Sequence, residues 1–214
     1  MLDDIALETR LTRAYLHKDH LDQRVLKAMR GVPREKFVPK HLKSSAYDNR
    51  ALPISDGQTI SQPFIVALMT DLLQPQPDHT VLEIGTGSGY QAAVLAKLVK
   101  HVYSLEIIAP LAETARQRLA SLGYKNISVK HSDGYNGYLQ HAPFDGIIVT
   151  AASPTVPEAL LEQLKPGGRL VIPIGLPYMT QSLFVVEKDA RGDIHSEEIL
   201  PVAFVPLTRD TDAG

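Results

Sequence analysis

The chain has 214 residues, 44% of them apolar and 21% charged, the make-up of one folded domain with a core of its own. A formal charge of −2 argues against the basic footprint of a nucleic-acid or anionic-membrane binder, and the lack of cysteine excludes disulfides, thiolate nucleophiles and Cys-ligated metals. The opening "MLDDIALETR" is acidic with no apolar signal core, and no run approaches the roughly 18 apolar residues of a membrane span, so a cytoplasmic protein is expected.

The first third reads as helical. Ile5, Leu7 and Leu11, then Leu21, Val25, Leu26 and Met29, make an apolar stripe at helical spacing, and Gly31 stands at a cap position with Pro33 after it. "VPREKFVP" and "NRALPISDGQTISQP" are punctuated by Pro33, Pro39, Pro53, Gly57 and Pro63 and read as loops. "FIVALMTDLLQ" is helical again, stopped by Pro75 and Pro77.

From residue 80 short apolar strands alternate with helices. "TVLEI", "HVYSLEI", "ISVKH", "FDGIIVTAA" and "GGRLVIPIG" are the strands; "QAAVLAKLVK", "APLAETARQRLASLG" and "TVPEALLEQLK" are the helices between them. That rhythm predicts a parallel sheet covered on both faces. "QSLFVVEKD" and "EEILPVAFVPLT", joined by the turn "ARGD", predict an antiparallel pair at the sheet edge. The expected fold is α/β: a doubly wound, mostly parallel sheet in a single domain, with residues 1–56 as an N-terminal helical addition and 57–214 as the core.

"LEIGTGSGY" is the most informative loop. Gly85, Gly87 and Gly89 let the backbone turn sharply and approach a ligand, with a helix N-terminus just behind. A dinucleotide loop needs G-x-G-x-x-G, but here Tyr90 holds the third glycine's place, and no Gly-Lys-Ser/Thr ending makes a P-loop. Two acids sharpen the choice. Glu106 ends its strand 21 positions after Gly85, where a carboxylate accepts the hydroxyls of a ribose. Glu83 stands two residues before Gly85 and disfavours a pyrophosphate while suiting a cation. Asp133-Gly134, at the next strand end, is placed to meet an adenine. A ribose, an adenine, a positive charge and no phosphate describe S-adenosyl-L-methionine, so the expected class is a Rossmann-like class I methyltransferase.

The stretches "VPREKFVP", "AYDNRALPI", "GQTISQP", "VLEIGTGSGYQAAVLA", "HSDGYNGY", "PFDGIIVTAA", "QLKPGGRLVIPIG" and "FVPLT" resemble the protein-L-isoaspartate (D-aspartate) O-methyltransferases, in family order from about residue 30 to 208. The resemblance implies a repair enzyme that methylates the free α-carboxylate of L-isoaspartyl, and in some members D-aspartyl, residues in damaged proteins. The ester then closes to a succinimide whose hydrolysis returns some normal aspartate. A carboxylate is already an anionic nucleophile, so no general base is needed, and in-line positioning is what the protein can supply.

Residue by residue, the resemblance implies that Ser61 orients the substrate carboxylate as a positioning group, with Thr59, Val205 and Leu207 beside it. It implies cofactor contacts from Ile60, Glu83, Gly85, Thr86, Gly87, Glu106, Asp133, Gly134 and Thr208. The "FVPLT" backbone is expected to pair with an extended substrate peptide. Ser61 has a second reading, as the cap of the helix that follows. Val66 departs from members that carry a histidine there, the chain stops soon after Thr208, and "GLPYMTQSLFVV" matches only loosely.

The eight histidines show no H-E-x-x-H or comparable spacing, so no metal is expected. Thr86 rather than glycine precedes Ser88 by two, which removes a G-x-S-x-G elbow. "LKPGGRL" reads as a turn before a strand, and Asp145 as an anchor for the glycine loop. Two other readings remain open: a methyltransferase of this fold with another acceptor, and a binding module without catalysis. An intact glycine loop and the T-I-S serine argue against the module.

Overall fold

In the computed structural model, residues 1–176 and 179–209 are described; residues 177–178, within "GLPYMTQSLFVV", and 210–214, the stretch after Thr208, lie outside them. The N-terminal third forms helices α1 (Leu2–Leu11), α2 (Arg13–Leu16) and α3 (Gln23–Gly31), then short 3₁₀ turns at Arg34–Lys36 and Lys40–Ser45. Asp22 starts α3 by accepting the Arg24 N–H at 2.7 Å.

The "NRALPISDGQTISQP" stretch is more ordered than a loop. Strands β1 (Leu52–Pro53) and β2 (Thr59–Ile60) pair antiparallel, Leu52 opposite Ile60 and Pro53 opposite Thr59. Asp56 and Gly57 both take positive φ, +57° and +71°, and the Gln58 N–H reaches the Ser55 carbonyl at 3.1 Å. This is a type I′ turn, whose twist matches that of paired strands and which Asp-Gly favours. Helix α4 (Pro63–Leu73) follows with its proline in the first turn. Its cap position is Gln62, and the N–H of Phe64 is taken by the Asn49 side chain at 3.0 Å. Ser61 is therefore not the helix cap.

The main sheet contains β3 (Thr80–Ile84), β4 (His101–Glu106), β5 (Ile127–His131), β6 (Phe144–Val149), β7 (Leu164–Ile174), β8 (Gln181–Lys188) and β9 (Ile194–Val202), in the order β5-β4-β3-β6-β7-β8-β9. The first five run parallel, and β8 and β9 add antiparallel. Helices α5 (Tyr90–Leu95), α6 (Ala109–Ser121) and α7 (Glu158–Glu162) connect them. Strand alternation sends Val81, Val102, Ile148 and Val171 into one core, shared with α3, α4 and α5. Leu82, Ile84, Leu105, Ile147 and Leu170 enter a second core on the other face, with Leu160 of α7.

Three sequence expectations are corrected here. "LKPGG" does not lie wholly ahead of its strand: Leu164 already pairs with Phe144, and the register then jumps to Gly146–Arg169, so residues 165–168 interrupt the ladder opposite Asp145. Asp145 does not reach the glycine loop. It binds the Thr80 N–H and the Lys165 ammonium, each at 2.7 Å, and so anchors the opposite end of β3. The last strand ends at Val202 rather than running through "FVPLT", because the Gln181 amide takes both the N–H and the carbonyl of Phe204, at 2.6 and 3.1 Å, and draws the chain off the ladder.

Candidate functional site

β3 sits where the strand order reverses, with β4 on one side and β6 on the other, and in open α/β sheets ligands bind beyond the carboxyl ends of the strands at such a point. The glycine loop leaves β3 there. Gly85 has φ +92°, and a Cβ on it would lie 2.4 Å from Thr150 Oγ1, the hydroxyl that donates to the Gly85 carbonyl at 2.6 Å. Glycine is thus required twice over at Gly85, by conformation and by space. Gly89, at φ +87°, turns the chain into α5.

Glu106, at the end of β4, is buried against the loop. One carboxylate oxygen accepts the Gly87 N–H at 2.8 Å and the other the Ile108 N–H at 3.0 Å. A carboxylate oxygen has room for two donors, so each keeps an accepting position. That arrangement suits a pair of neighbouring hydroxyls.

Glu83 lies beneath the loop, fully buried and paired in register with Ser104. The Ser104 hydroxyl donates to one Glu83 oxygen and stands 2.6 Å from the Thr86 hydroxyl; the other Glu83 oxygen is buried without a hydrogen-bond partner. Burial, reinforced by the nearby Glu106 charge, pushes the Glu83 carboxyl up to about 8 despite the Ser104 hydrogen bond, so it is mostly protonated at neutral pH. Its contribution is to hold Thr86 rather than to present a charge.

These elements form one wall of a cavity. The facing wall is the β2 segment, Thr59, Ile60 and Ser61, together with Val205, Leu207 and Thr208 of the C-terminal segment. That segment is tied in by two hydrogen bonds of 2.8 Å, from the Ala152 N–H to the Val205 carbonyl and from the Leu207 N–H to the Ala152 carbonyl. One edge of "FVPLT" is thus occupied by the chain itself, and on the other Pro206 offers a carbonyl but no N–H.

Of the sequence-predicted residues, all those named above on the two walls line the cavity, as do Gly85, Thr86, Gly87, Glu106 and Gly134. Glu83 and Asp133 do not. Asp133 caps a 3₁₀ turn by accepting the Tyr135 N–H at 2.8 Å, and leaves its neighbour Gly134 facing the cavity. Tyr90 and Gln91, which the sequence reading passed over, also line it. Tyr90's position in place of a third glycine was the available signal. Val66 is a lining residue as well, so the position departing from some family members belongs to the site.

Among the described residues lining the cavity, Glu106 is the single acid, and there is no lysine, arginine or histidine. A phosphate would find no cation there; a cationic ligand bearing a diol finds one carboxylate. A second groove shares Thr59 and Ser61 with the cavity and runs between Ala51 and Ile65 on one side and Pro201 to Phe204 on the other. None of its lining side chains is charged.

A family profile described as protein-L-isoaspartate(D-aspartate) O-methyltransferase matches residues 9–212. A protein-L-isoaspartate O-methyltransferase 2 of Syntrophobacter fumaroxidans is 57% identical over 97% of this chain and 84% of its own length. The corresponding protein of a Polaromonas species is 55% identical over 97% of this chain and 99% of its own. Among solved structures, a Plasmodium falciparum protein described as a protein-L-isoaspartate O-methyltransferase, in complex with S-adenosyl-L-homocysteine, superposes with a TM-score of 0.75 at 28% identity, covering 95% of this chain and 96% of its own.

Proposed function

The chain belongs to the protein-L-isoaspartate(D-aspartate) O-methyltransferase family, and from that membership and its cavity we infer that it methylates the free α-carboxylate of L-isoaspartyl residues in damaged proteins and peptides. The observation that carries this reading is the charge inventory of the described residues lining the cavity: one carboxylate, no cation and no histidine. S-adenosyl-L-methionine is the group that fits, and when bound it supplies a methyl group activated on a sulfonium.

Glu106 would accept the two ribose hydroxyls on its remaining lone pairs. Thr86, Gly87 and Gly134 would bring backbone close to the ligand, with Thr86 fixed from below by Ser104 and Glu83. Ser61, half-buried on the opposite wall, would donate its hydroxyl to one oxygen of the substrate carboxylate and leave the other oriented for attack. No proton has to be removed from such a nucleophile, which is consistent with a wall that carries no base. Positioning of two reactants contributes roughly 7–11 kcal/mol in favourable cases.

The uncharged groove that begins at Thr59 and Ser61 supports a polypeptide substrate, since residues flanking the isoaspartyl can lie along it. The lack of any lysine or arginine among the described residues lining cavity and groove supports a protein rather than a nucleic acid as the acceptor's carrier. A cytoplasmic setting, supported by the cysteine-free chain, completes the reading.

One synthetic peptide in two forms tests it, with L-isoaspartyl or L-aspartyl at a single site and labelled S-adenosyl-L-methionine as donor. Base-labile label on the isoaspartyl form alone is the expected result. Label on neither form, with cofactor binding intact, would assign the fold to a different acceptor.

A further inference from the structure

Arg34 is the largest of the fully buried side chains, and among the described residues no acid pairs with it. Its Nε donates to the Ala46 carbonyl and its Nη2 to the Ser61 carbonyl, both at 2.7 Å. Its Cζ lies 4.7 Å from the centroid of the Tyr90 ring, and Nη1 is buried with no hydrogen-bond partner. Ser61 and Tyr90 both line the cavity, so the guanidinium stands one residue behind the substrate wall.

A guanidinium does not shed its proton in a protein, so its charge persists whatever the surroundings. Two carbonyl dipoles and an aromatic face compensate it only in part, and a buried charge without a counter-ion is costly. Desolvation lowers its pKa from the ordinary arginine value, as expected of a cation short of partners. A purely structural clamp between the Ala46 and Ser61 carbonyls would not need a permanent charge, since a neutral amide donor can bond a carbonyl. The anion that reacts is the substrate carboxylate, which in the inferred reaction docks at Ser61.

We propose that Arg34 is a positioning residue for that carboxylate: its guanidinium fixes the Ser61 backbone and sets an uncompensated positive charge behind the wall on which the substrate anion rests. The proposal rests on the carboxylate-methylating function inferred above. It divides two tasks between two parts of one side chain. The hydrogen bond to the Ser61 carbonyl sets where the hydroxyl stands. The charge makes an anionic group preferred there over a neutral one of the same shape, in a setting of low dielectric where a single charge acts over several ångströms.

The test uses the full-length enzyme with S-adenosyl-L-homocysteine, which has no methyl group to transfer, and a matched pair of peptides, one with a free carboxylate and one with a carboxamide at the isoaspartyl α-position. Wild type is expected to bind the carboxylate form better. Arg34→Met should reduce that preference by about tenfold, while the affinity for S-adenosyl-L-methionine holds within about twofold. Arg34→Lys keeps the charge but not the planar fork; it should retain most of the preference and lose turnover, because Ser61 is less firmly held. Where Arg34→Met does not fold, Arg34→Gln, neutral and still a donor, replaces it. Folded neutral variants that keep the wild-type preference would overturn the proposal, whereas a wild type that methylates no isoaspartyl peptide would overturn the functional reading beneath it.

Discussion

The glycine-loop wall of the cavity hangs from the carboxyl ends of adjacent parallel strands, β3 and β4, whereas the Ser61 wall is assembled from a short hairpin and a C-terminal segment that has left the sheet. On the first wall the positions follow from the register: Glu83 is opposite Ser104, and Glu106 ends the neighbouring strand beside the loop. On the second wall nothing is periodic. Arg34, Gln181 and Ala152 hold it at Ser61, Phe204 and the Val205–Leu207 stretch, from three separate places in the chain. A sheet supplies a rigid frame for a ligand common to many enzymes, and packed loops supply a surface peculiar to one substrate.

The largest effect is expected at Gly85. Gly85→Ala imposes a disfavoured positive φ and drives a Cβ into Thr150 Oγ1, so cofactor binding should fall at least about 100-fold, with some 3 kcal/mol lost on thermal unfolding. Gly87→Ala is the internal comparison: its φ is +51° and a Cβ would meet nothing closer than Ile54 Cδ1 at 3.7 Å, so a cost near 1 kcal/mol is expected. Equal losses at the two glycines would remove the frame argument for this wall.

Next in size is Glu106→Gln. Whichever way the amide sits, its NH₂ faces one of two backbone N–H donors, and the charge is gone. Calorimetry should show S-adenosyl-L-methionine bound roughly 10- to 100-fold more weakly, the range of a charge-assisted hydrogen bond. An unchanged affinity would refute the ribose assignment.

Ser61→Ala probes the other wall. Turnover on an isoaspartyl peptide should drop about tenfold, in the range of one lost positioning hydrogen bond, with cofactor affinity unaltered. Equal loss of both would mean that the two walls do not divide the work.

The last comparison is read on stability and not on activity: the pH dependence contributed by Glu83. Its carboxyl is raised in the fold to about 8, from 4.5, so the folded protein holds that proton across the interval. The stabilisation is complete below about pH 4.5 and is lost as pH rises through about 8. Unfolding midpoints of Glu83→Gln should therefore decline less between pH 5 and 8 than those of the parent. Parallel curves would show that Glu83 is ionised in the fold.

Much of the first wall was legible in sequence because its signals are local. A strand texture, three glycines and an acid 21 positions on are all consequences of one βαβ unit. Glu83 was read as a charge facing the ligand because sequence gives its strand position but not which layer it enters; the alternation that buries Ile84 in the second core turns Glu83 into the first, against Ser104. The Asp-Gly hairpin could have been found from its dipeptide, yet the prolines around it gave the appearance of a plain loop.

What the sequence determined by itself was the repeating strand–helix order, the glycine loop with Glu106 as its partner, and the family to which the T-I-S and F-V-P-L-T stretches point. The tertiary structure alone decided that Asn49 rather than Ser61 serves the Phe64 N–H at the start of α4, that Gln181 draws the last strand off the sheet to cover the cavity, and that Arg34 stands behind Ser61 unpaired by any acid among the described residues. The physical reason is range. Periodicity and turn chemistry act over a few residues, while a buried polar group must find its partner wherever packing brings one, here across 27 positions between Arg34 and Ser61 and 65 between Gly85 and Thr150.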